Sequence, residues 1–231
     1  MGHPIPLAHG LHPIPMSDTH AAFDLRTLSK SDTYKLLAST ILPRPIAWIT
    51  TLDDDGKPNA APFSFFNVVS ADPPLIVVGF SAAPDREGKD TLANICRTGE
   101  LVVNLVPEEL AEAMNITATD APRGLDELTL AGLATVPSLQ VAPPRIAGSP
   151  VSLECRTFQI IEPGGSSTIL VAKALEMHIR HDAFEDESRL HIDPAQMRLI
   201  GRMHGGGDYA TTRDMFEIAR IPWKEMQSKQ S

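Results

Sequence analysis

The sequence is poor in cysteine and contains no long apolar run. Only two cysteines occur among 231 residues. Cys96 and Cys155 belong to no CxxC pair, so we interpret both as packing residues. The longest clean apolar run, Leu75–Phe80, has the length of a strand and falls far short of the roughly 20 residues of a membrane helix. The N-terminus has no basic segment followed by an apolar one, which predicts no secretion signal and a cytoplasmic location.

Positive charge is also scarce. The chain has 20 Lys and Arg against 29 Asp and Glu, which gives a formal net charge of −9 and a pI near 5.3. Such a surface repels phosphate backbones and anionic lipids, so we expect no nucleic-acid or membrane partner. A hydrophobic fraction of 42% over this length is enough to bury a sizeable core.

Several motifs that carry well-understood chemistry are missing. The sequence contains no GxGxxG, P-loop, HExxH or GxSxG, so the corresponding cofactor and nucleophile sites lack local support. Four histidines lie in the C-terminal part of the chain, namely His178, His181, His191 and His204. His178 and His181 would point to opposite faces of a strand, and no pair has the i, i+4 spacing of a helical zinc site, so we predict no metal site.

Strand-like segments dominate what remains. The β-branched segment 46–52 ends at Asp53–Gly56, whose Asp-Gly step predicts a hairpin. Further strands are expected at 59–69, 75–80, 100–106, 151–161 and 167–179. Short helices are expected from Ser31 or Asp32, at 90–96, at 107–114 and at 211–219, with turns and loops over 117–150. The connections at 53–56 and 72–74 are too short for parallel crossovers, so the pattern favours a single antiparallel barrel domain.

The segment Asn59–Asn67 combines a proline, small residues, polar groups and three phenylalanines. A proline in a sheet indicates an edge or a bulge, where backbone N–H and C=O groups are left to meet a ligand. The phenylalanines could flank a planar ring, or they could fill the core, which is commoner.

Two further segments are candidates for binding an anion or closing a site. Lys89 and Thr91 lie at a predicted helix start, which suits a phosphate, although a solvated lysine and an ordinary cap fit equally. Arg44, between two prolines, could reach the same anion or form a surface salt bridge. The run Gly205–Tyr209 is either a tight turn near a ligand, with Tyr209 as a lid, or a flexible loop.

Together these segments resemble the flavin reductase-like family with an FMN-binding split barrel, which includes flavoredoxin and the reductase component of nitrilotriacetate monooxygenase. The similarity covers residues 30–222. It is carried by the segments 43–51, 59–67, 72–74, 79–81, 89–91, 94–95, 98–100, 103–105, 192–194 and 201–209. It implies a mainly β fold with short helices, an antiparallel Greek-key split β-barrel of the FMN-binding type. The implied boundaries are a mobile arm at 1–25, one domain at 26–222 and a polar tail at 223–231.

The resemblance also implies a homodimer that binds FMN and takes electrons from NADH or NADPH. Carried over by position, Lys89, Thr91 and Arg44 would hold the FMN phosphate. Ser64, Phe65, Phe66 and Asn67 would line the isoalloxazine ring and ribityl chain. The remaining candidates are Thr50, Ala61, Pro62 and Ser81, with Tyr209 closing the ring face. His204 departs from the family pattern and is a candidate for a role at the nicotinamide; no general base is assigned.

The predicted function is therefore NAD(P)H-dependent flavin reduction, with hydride passing from nicotinamide to FMN. Two alternatives stay open. One is a non-catalytic FMN electron-transfer protein. The other is an FMN-dependent oxidoreductase acting on a small organic substrate, whose pocket would include residues 117–150. A partner monooxygenase is an additional option that the resemblance allows.

Overall fold

A computed structural model of the chain describes residues 19–81, 90–119 and 125–228. These residues divide into two units, one formed by residues 29–213 and the other by the terminal segments 19–28 and 214–228. The domain boundaries expected at residues 25 and 222 stay a prediction. Within the described ranges, no helix is both long enough and apolar enough to cross a membrane.

Most of the larger unit is β-structure. The strands are β1 (Ala47–Leu52), β2 (Pro58–Phe63), β3 (Phe66–Ala71), β4 (Pro74–Ser81), β5 (Glu100–Asn104), β6 (Thr135–Val136), β7 (Arg145–Ile146), β8 (Val151–Gly164), β9 (Ser167–Ile179), β10 (Phe184–Asp186), β11 (His191–Ile192), β12 (Ile200–Arg202) and β13 (Tyr209–Thr211). The α-helices are α1 (Lys30–Thr40), α2 (Asp90–Thr98), α3 (Ala111–Ile116), α4 (Glu127–Leu130) and α5 (Trp223–Ser228), the last in the terminal unit. Short 3₁₀ helices lie at Glu108–Leu110, His181–Ala183, Glu187–Arg189 and Pro194–Met197.

Seven strands form one antiparallel sheet in the order β2-β1-β5-β8-β9-β4-β3. The two edge strands, β2 and β3, are separated along the chain only by Ser64 and Phe65. Three residue steps span at most about 11 Å, so the sheet must curl until its edges approach each other at this corner. We call Ser64 and Phe65 the seam. The curled sheet confirms the predicted mainly β, antiparallel split-barrel fold.

The barrel interior holds one core and a second core lies outside it. Alternate residues of β1 divide between them: Ala47 and Ile49 face the interior, whereas Trp48 packs with Met114 and Ile146 on the outer face. Residues of the segments 111–119 and 125–146 therefore cover the outside of β1. This cover buries both faces of the strand, which accounts for its continuous apolar and β-branched sequence.

Three local predictions are wrong. The strand expected at 59–69 is two strands, because the seam carries the chain from one sheet edge to the other. The helix expected at 211–219 does not form: Thr211 pairs with Ile200 in the β12–β13 hairpin, so strand pairing overrides local propensity, and a helix follows only at α5. The helix start expected at Ser31 or Asp32 is also wrong, because α1 is capped by Ser29, whose hydroxyl accepts the N–H of Asp32.

The two cysteines occupy different environments. Cys155 is buried in the barrel core, as expected for a packing residue. Cys96 is exposed on α2, so its interpretation as a packing residue is wrong. The amphipathic spacing of α2 buries Thr91, Asn94 and Ile95 instead, and leaves residue 96 on the solvent side.

Candidate active site

A largely apolar cleft of about 280 Å³ lies between α1, the segment Pro43–Pro45 and the start of β3. One wall contains Leu37 of α1 and Ile41, the residue that follows the helix. The opposite wall contains Ser64, Phe65, Phe66 and Asn67, and Arg44 lies between the two walls. Five of the residues predicted from sequence are thus brought together in one cleft.

The seam explains why this cleft can take a ligand. Phe63 points into the barrel, where its ring meets Phe80 at 4.6 Å between centroids. Phe66 packs partly against the same core. Phe65 lies where the chain has left β2 and has not yet entered β3, and it remains 39% exposed. Of the three phenylalanines, one therefore fills the core, one borders it and one presents its ring to the cleft.

Phe65 is held by a glycine on the neighbouring strand. The Gly79 N–H donates to the carbonyl oxygen of Phe65 at 2.7 Å, and a Cβ on Gly79 would come within 3.1 Å of the Phe65 Cβ. We expect Gly79→Ala to displace Phe65 and to lower the free energy of unfolding by about 1–3 kcal/mol, measured by urea unfolding. Gly207→Ala is the control, because its Cβ would meet no atom within 4 Å. Equal stabilities of the two variants would contradict this packing.

Arg44 is buried and forms hydrogen bonds to several segments around the site, so it does not form the surface salt bridge considered above. Its side chain donates from Nη1 to the carbonyls of Ala38 and Ile41, and from Nε to the Ser64 hydroxyl at 3.4 Å. A longer contact of 3.5 Å joins Nη2 to the His204 carbonyl. Arg44 is only 6% exposed, and this burial lowers the pKa of its guanidinium. It ties the end of α1 and the seam to the turn at residues 203–208.

The glycine-rich turn forms a closed hairpin beside Arg44. Arg202 and Arg44 exchange two backbone hydrogen bonds of 2.8 and 3.0 Å. The Arg202 guanidinium lies over the Tyr209 ring at 4.8 Å and donates to its hydroxyl. It also donates to the carbonyls of His204 and Gly206. Tyr209 is therefore fixed by Arg202, whereas the His204 ring remains half exposed and accepts the Gly206 N–H at 3.1 Å.

Thr91 lies at a different place, in a buried polar network at the start of α2. It is 1% exposed, and its hydroxyl donates to the Asn59 side chain at 2.8 Å. Arg44 instead contacts Ser64, beyond the other end of β2. The described contacts do not bring Thr91 and Arg44 together, and a phosphate shared by the two residues stays a prediction. Lys89 lies outside the described residues.

Glu127 completes the network around Asn59. Its carboxylate accepts the Asn59 side-chain amide and the Ala60 N–H, all at 3.2 Å. Burial, aided by the charge of Asp90, raises the pKa of Glu127 despite these hydrogen bonds. The carboxyl is therefore protonated more readily in the folded than in the unfolded chain.

Because the pKa of Glu127 is raised in the folded state, this residue makes the protein less stable as the pH rises. The relevant pH range runs from 4.5, the ordinary pKa of a glutamate, to the higher pKa of Glu127 in the folded state. Over this range we expect the free energy of unfolding of the wild type to fall, because the folded state binds more protons than the unfolded state. Glu127→Gln should not show this decline. Urea unfolding of both proteins from pH 4 to 8 measures the difference, and parallel pH curves would refute the assignment.

The remaining predicted residues do not line the cleft. Thr50 is buried, and its hydroxyl donates to the Pro144 carbonyl at 2.5 Å, so it anchors residues 135–150 to the barrel. Ala61 and Pro62 lie on β2 opposite Ile49 and Trp48. Ser81 is exposed at the end of β4. Whether any of these four contacts a cofactor stays a prediction.

Sequence reasoning missed the contribution of α1. Its Tyr34 ring lies 6.0 Å from the Phe65 ring, and a Cβ on Gly205 would approach the Tyr34 ring to 3.2 Å. The sequence gives only a weak signal for this placement, because α1 has one buried residue and no motif. Nothing local indicates that this helix returns to the seam.

Comparison with known proteins identifies the family. Residues 38–200 match the flavin reductase-like domain, and the chain belongs to that family, which confirms the resemblance. It is similar to the crystal structure of nitrilotriacetate monooxygenase component B from Bacillus cereus, with a TM-score of 0.81 and 30% identity over 87% of this chain and 100% of that one. It is also similar to the 2-nitrobenzoate 2-nitroreductase of Pseudomonas fluorescens, with a TM-score of 0.78 and 31% identity over 87% and 96%. An uncharacterised protein of Deinococcus radiodurans is 40% identical over 93% of this chain and 95% of its own.

The cleft fits the flavin that the family implies. Its walls are mostly apolar, it carries the partly exposed face of Phe65, and its one charged lining residue is the cation Arg44. These features suit a flat ring system with polar edges. Among the described residues, no group of three or more His, Cys, Asp or Glu is arranged to hold a metal ion.

Proposed function

We propose that the protein is an FMN-dependent oxidoreductase that reduces flavin with NADH or NADPH. The observation that carries this proposal is the apolar cleft at the barrel seam, with Phe65 on one wall and the buried guanidinium of Arg44 beside it. Bound flavin would supply the hydride-accepting chemistry. The protein then needs to bind, orient and shield reactants, which agrees with a cleft whose described lining residues include no carboxylate.

The residues proposed to bind FMN lie in two places. The seam residues Ser64 and Phe65, with Asn67, would line the ring. Arg44 would hold the end of α1 and the seam in place and would keep a positive charge beside the ring. The phosphate would lie near the start of α2, where unpaired backbone N–H groups and Lys89 are expected. Tyr209, fixed by Arg202, would close the site.

Steady-state oxidation of NADH and NADPH with added FMN tests this activity. We expect oxidation that depends on FMN and saturates with it. Tight FMN binding without nicotinamide oxidation would contradict the reductase and favour an electron-transfer protein. A second candidate, reduction of a small organic acceptor, is favoured by the similarity to 2-nitrobenzoate 2-nitroreductase. It predicts oxidation that a nitroaromatic acid stimulates beyond the rate with FMN alone.

Lys89→Ala tests the proposed phosphate end. A charge-assisted hydrogen bond contributes about 1.5–3 kcal/mol, so the variant should bind FMN about tenfold to a hundredfold more weakly, as measured by fluorescence titration. Lys35→Ala is the matched control, because Lys35 is an exposed lysine on α1 that pairs with Asp32. Equal FMN affinities of the two variants would mean that Lys89 does not contact the FMN phosphate.

We also propose that the protein is a homodimer. Large apolar side chains are exposed on the barrel surface, including Val68 (68%), Val69 (57%) and Phe158 (57%), and burying them against a second copy would be favourable. Sedimentation equilibrium should give twice the mass of the chain, and a monomer at micromolar concentration would contradict the proposal. A partner monooxygenase, suggested by the similarity to component B, and the cytoplasmic location stay predictions.

A further inference from the structure

Arg44 and Arg202, which we call the arginine pair, are two cations with no anionic partner among the residues that the structure describes. Their backbones are bridged by two hydrogen bonds, and both side chains donate to the same carbonyl, that of His204. Within the described residues, no carboxylate lies within 4.0 Å of either guanidinium. Their polar partners in the described part of the chain are neutral carbonyls and hydroxyls.

This arrangement is energetically unusual for an acidic protein. A buried charge is costly unless it is paired, and Arg44 is 94% buried beside a second cation. The chain is rich in residues that pair with arginine, since it contains 29 Asp and Glu. Carbonyl groups satisfy the hydrogen bonds of Arg44 but leave its charge uncompensated. The pair therefore creates a local positive potential at the edge of the cleft.

The FMN phosphate does not account for this potential. Its proposed place is the start of α2, where Thr91 contacts Asn59 near the beginning of β2, whereas Arg44 contacts Ser64 beyond the end of that strand. Arg202 also retains donors: a guanidinium has five N–H groups, and three of its nitrogens each donate one hydrogen bond to protein atoms. Its two terminal nitrogens thus each keep one N–H that can donate to a ligand.

The surroundings of the pair are apolar and partly exposed. Phe65 stacks near Arg44 at 5.9 Å and is 39% exposed. Leu37 of α1 and Ile41, which follows the helix, line the same cleft and are 37% and 62% exposed. With the flavin ring against Phe65, a second ligand that reaches both this apolar wall and the arginine pair would have an anionic group on a small apolar body.

We propose that the arginine pair is the recognition site for the carboxylate of a small apolar acid, which is the substrate class of this protein. The proposal rests on the proposed function, because the acid would bind next to the flavin. Arg202 contacts the carboxylate and sets the specificity, while Arg44 reinforces the charge from its buried position.

Titration of the FMN-loaded protein with benzoate and benzamide tests the proposal, because the two probes have nearly the same shape and differ in charge. Calorimetry and the shift of the flavin absorption band both report binding. We expect benzoate to bind at least tenfold more tightly than benzamide, and the difference to shrink as salt is raised. Equal affinities in the wild type would overturn the proposal without any variant.

Three variants locate the effect. Arg202→Gln should remove the preference for benzoate, Arg202→Lys should retain part of it, and Arg156→Gln should leave it intact, since Arg156 is an exposed arginine paired with Glu100. A preference that survives in Arg202→Gln overturns the proposal. So does a result in which Arg202→Gln alters only FMN affinity, because the pair would then serve the cofactor. Failure of the wild type to bind FMN at all would instead refute the proposed function.

Discussion

Glu154→Ala is expected to lower the free energy of unfolding by about 3–5 kcal/mol, because it removes the central acceptor of a buried polar cluster. Glu154 is fully buried on the face of β8 opposite to Cys155. Its carboxylate accepts the N–H groups of Leu139 and Gln140 at 2.5–2.9 Å and contacts His178 Nε2 at 2.6 Å. Alanine would leave all three groups without this partner.

Glu176→Ala provides a matched control for this loss. Glu176 is the cross-strand neighbour of Glu154 on β9, but it is partly exposed and has only a 3.5 Å contact with the Gln140 side chain. Its removal should cost no more than about 0.5–1 kcal/mol. Urea unfolding measures both variants. Similar small losses for the two would mean that Glu154 does not anchor residues 139–140 to the barrel.

The same carboxylate should make the protein sensitive to acid. Burial raises the pKa of Glu154, but the two N–H groups and His178 outweigh burial and hold the pKa below its ordinary value of 4.5. Because the folded pKa is depressed, this stabilisation is present above pH 4.5 and is lost as the pH falls through the folded pKa. Glu154→Gln should therefore lose less stability than the wild type on acidification in that range.

Arg44→Met is the second substitution with a large expected effect. Methionine keeps an unbranched apolar stem but removes the hydrogen bonds to the carbonyls of Ala38 and Ile41 and to the Ser64 hydroxyl. Since these bonds join the end of α1 to the seam, we expect FMN affinity to fall at least about tenfold in a fluorescence titration. The removed cation would also have faced the bound ring.

Arg156→Met separates this effect from the loss of any arginine. Arg156 lies on β8, and its side chain is 58% exposed. We expect its substitution to leave FMN affinity within about twofold of the wild type. If Arg44→Met bound FMN as tightly as Arg156→Met, the cleft at the seam would not be the ring site.

The parts of the site that could be predicted from sequence are those encoded in short segments. The proline and phenylalanines at 59–67 indicated a sheet edge near residue 64, and the Asp-Gly step at 55–56 indicated the β1–β2 hairpin. Neither prediction needed a partner distant in sequence. Both depend on backbone preferences that act over a few residues.

The rest of the site depends on contacts between distant segments. Arg44 looked as well suited to a surface salt bridge as to an anion site, because nothing nearby in sequence indicates that Ala38, Ser64 and His204 converge on it. Nothing near Thr50 in sequence indicates that its hydroxyl binds a carbonyl 94 residues away. The hydroxyl of Thr91 binds the Asn59 side chain, 32 residues earlier in the chain, which no motif records.

Titration of the purified protein with FMN, followed by absorbance and flavin fluorescence, tests the central claim most directly. The account predicts saturable uptake of one FMN per chain, with a shifted flavin spectrum and release of FMN on denaturation. A protein that is colourless as purified and binds no FMN in this titration would contradict it.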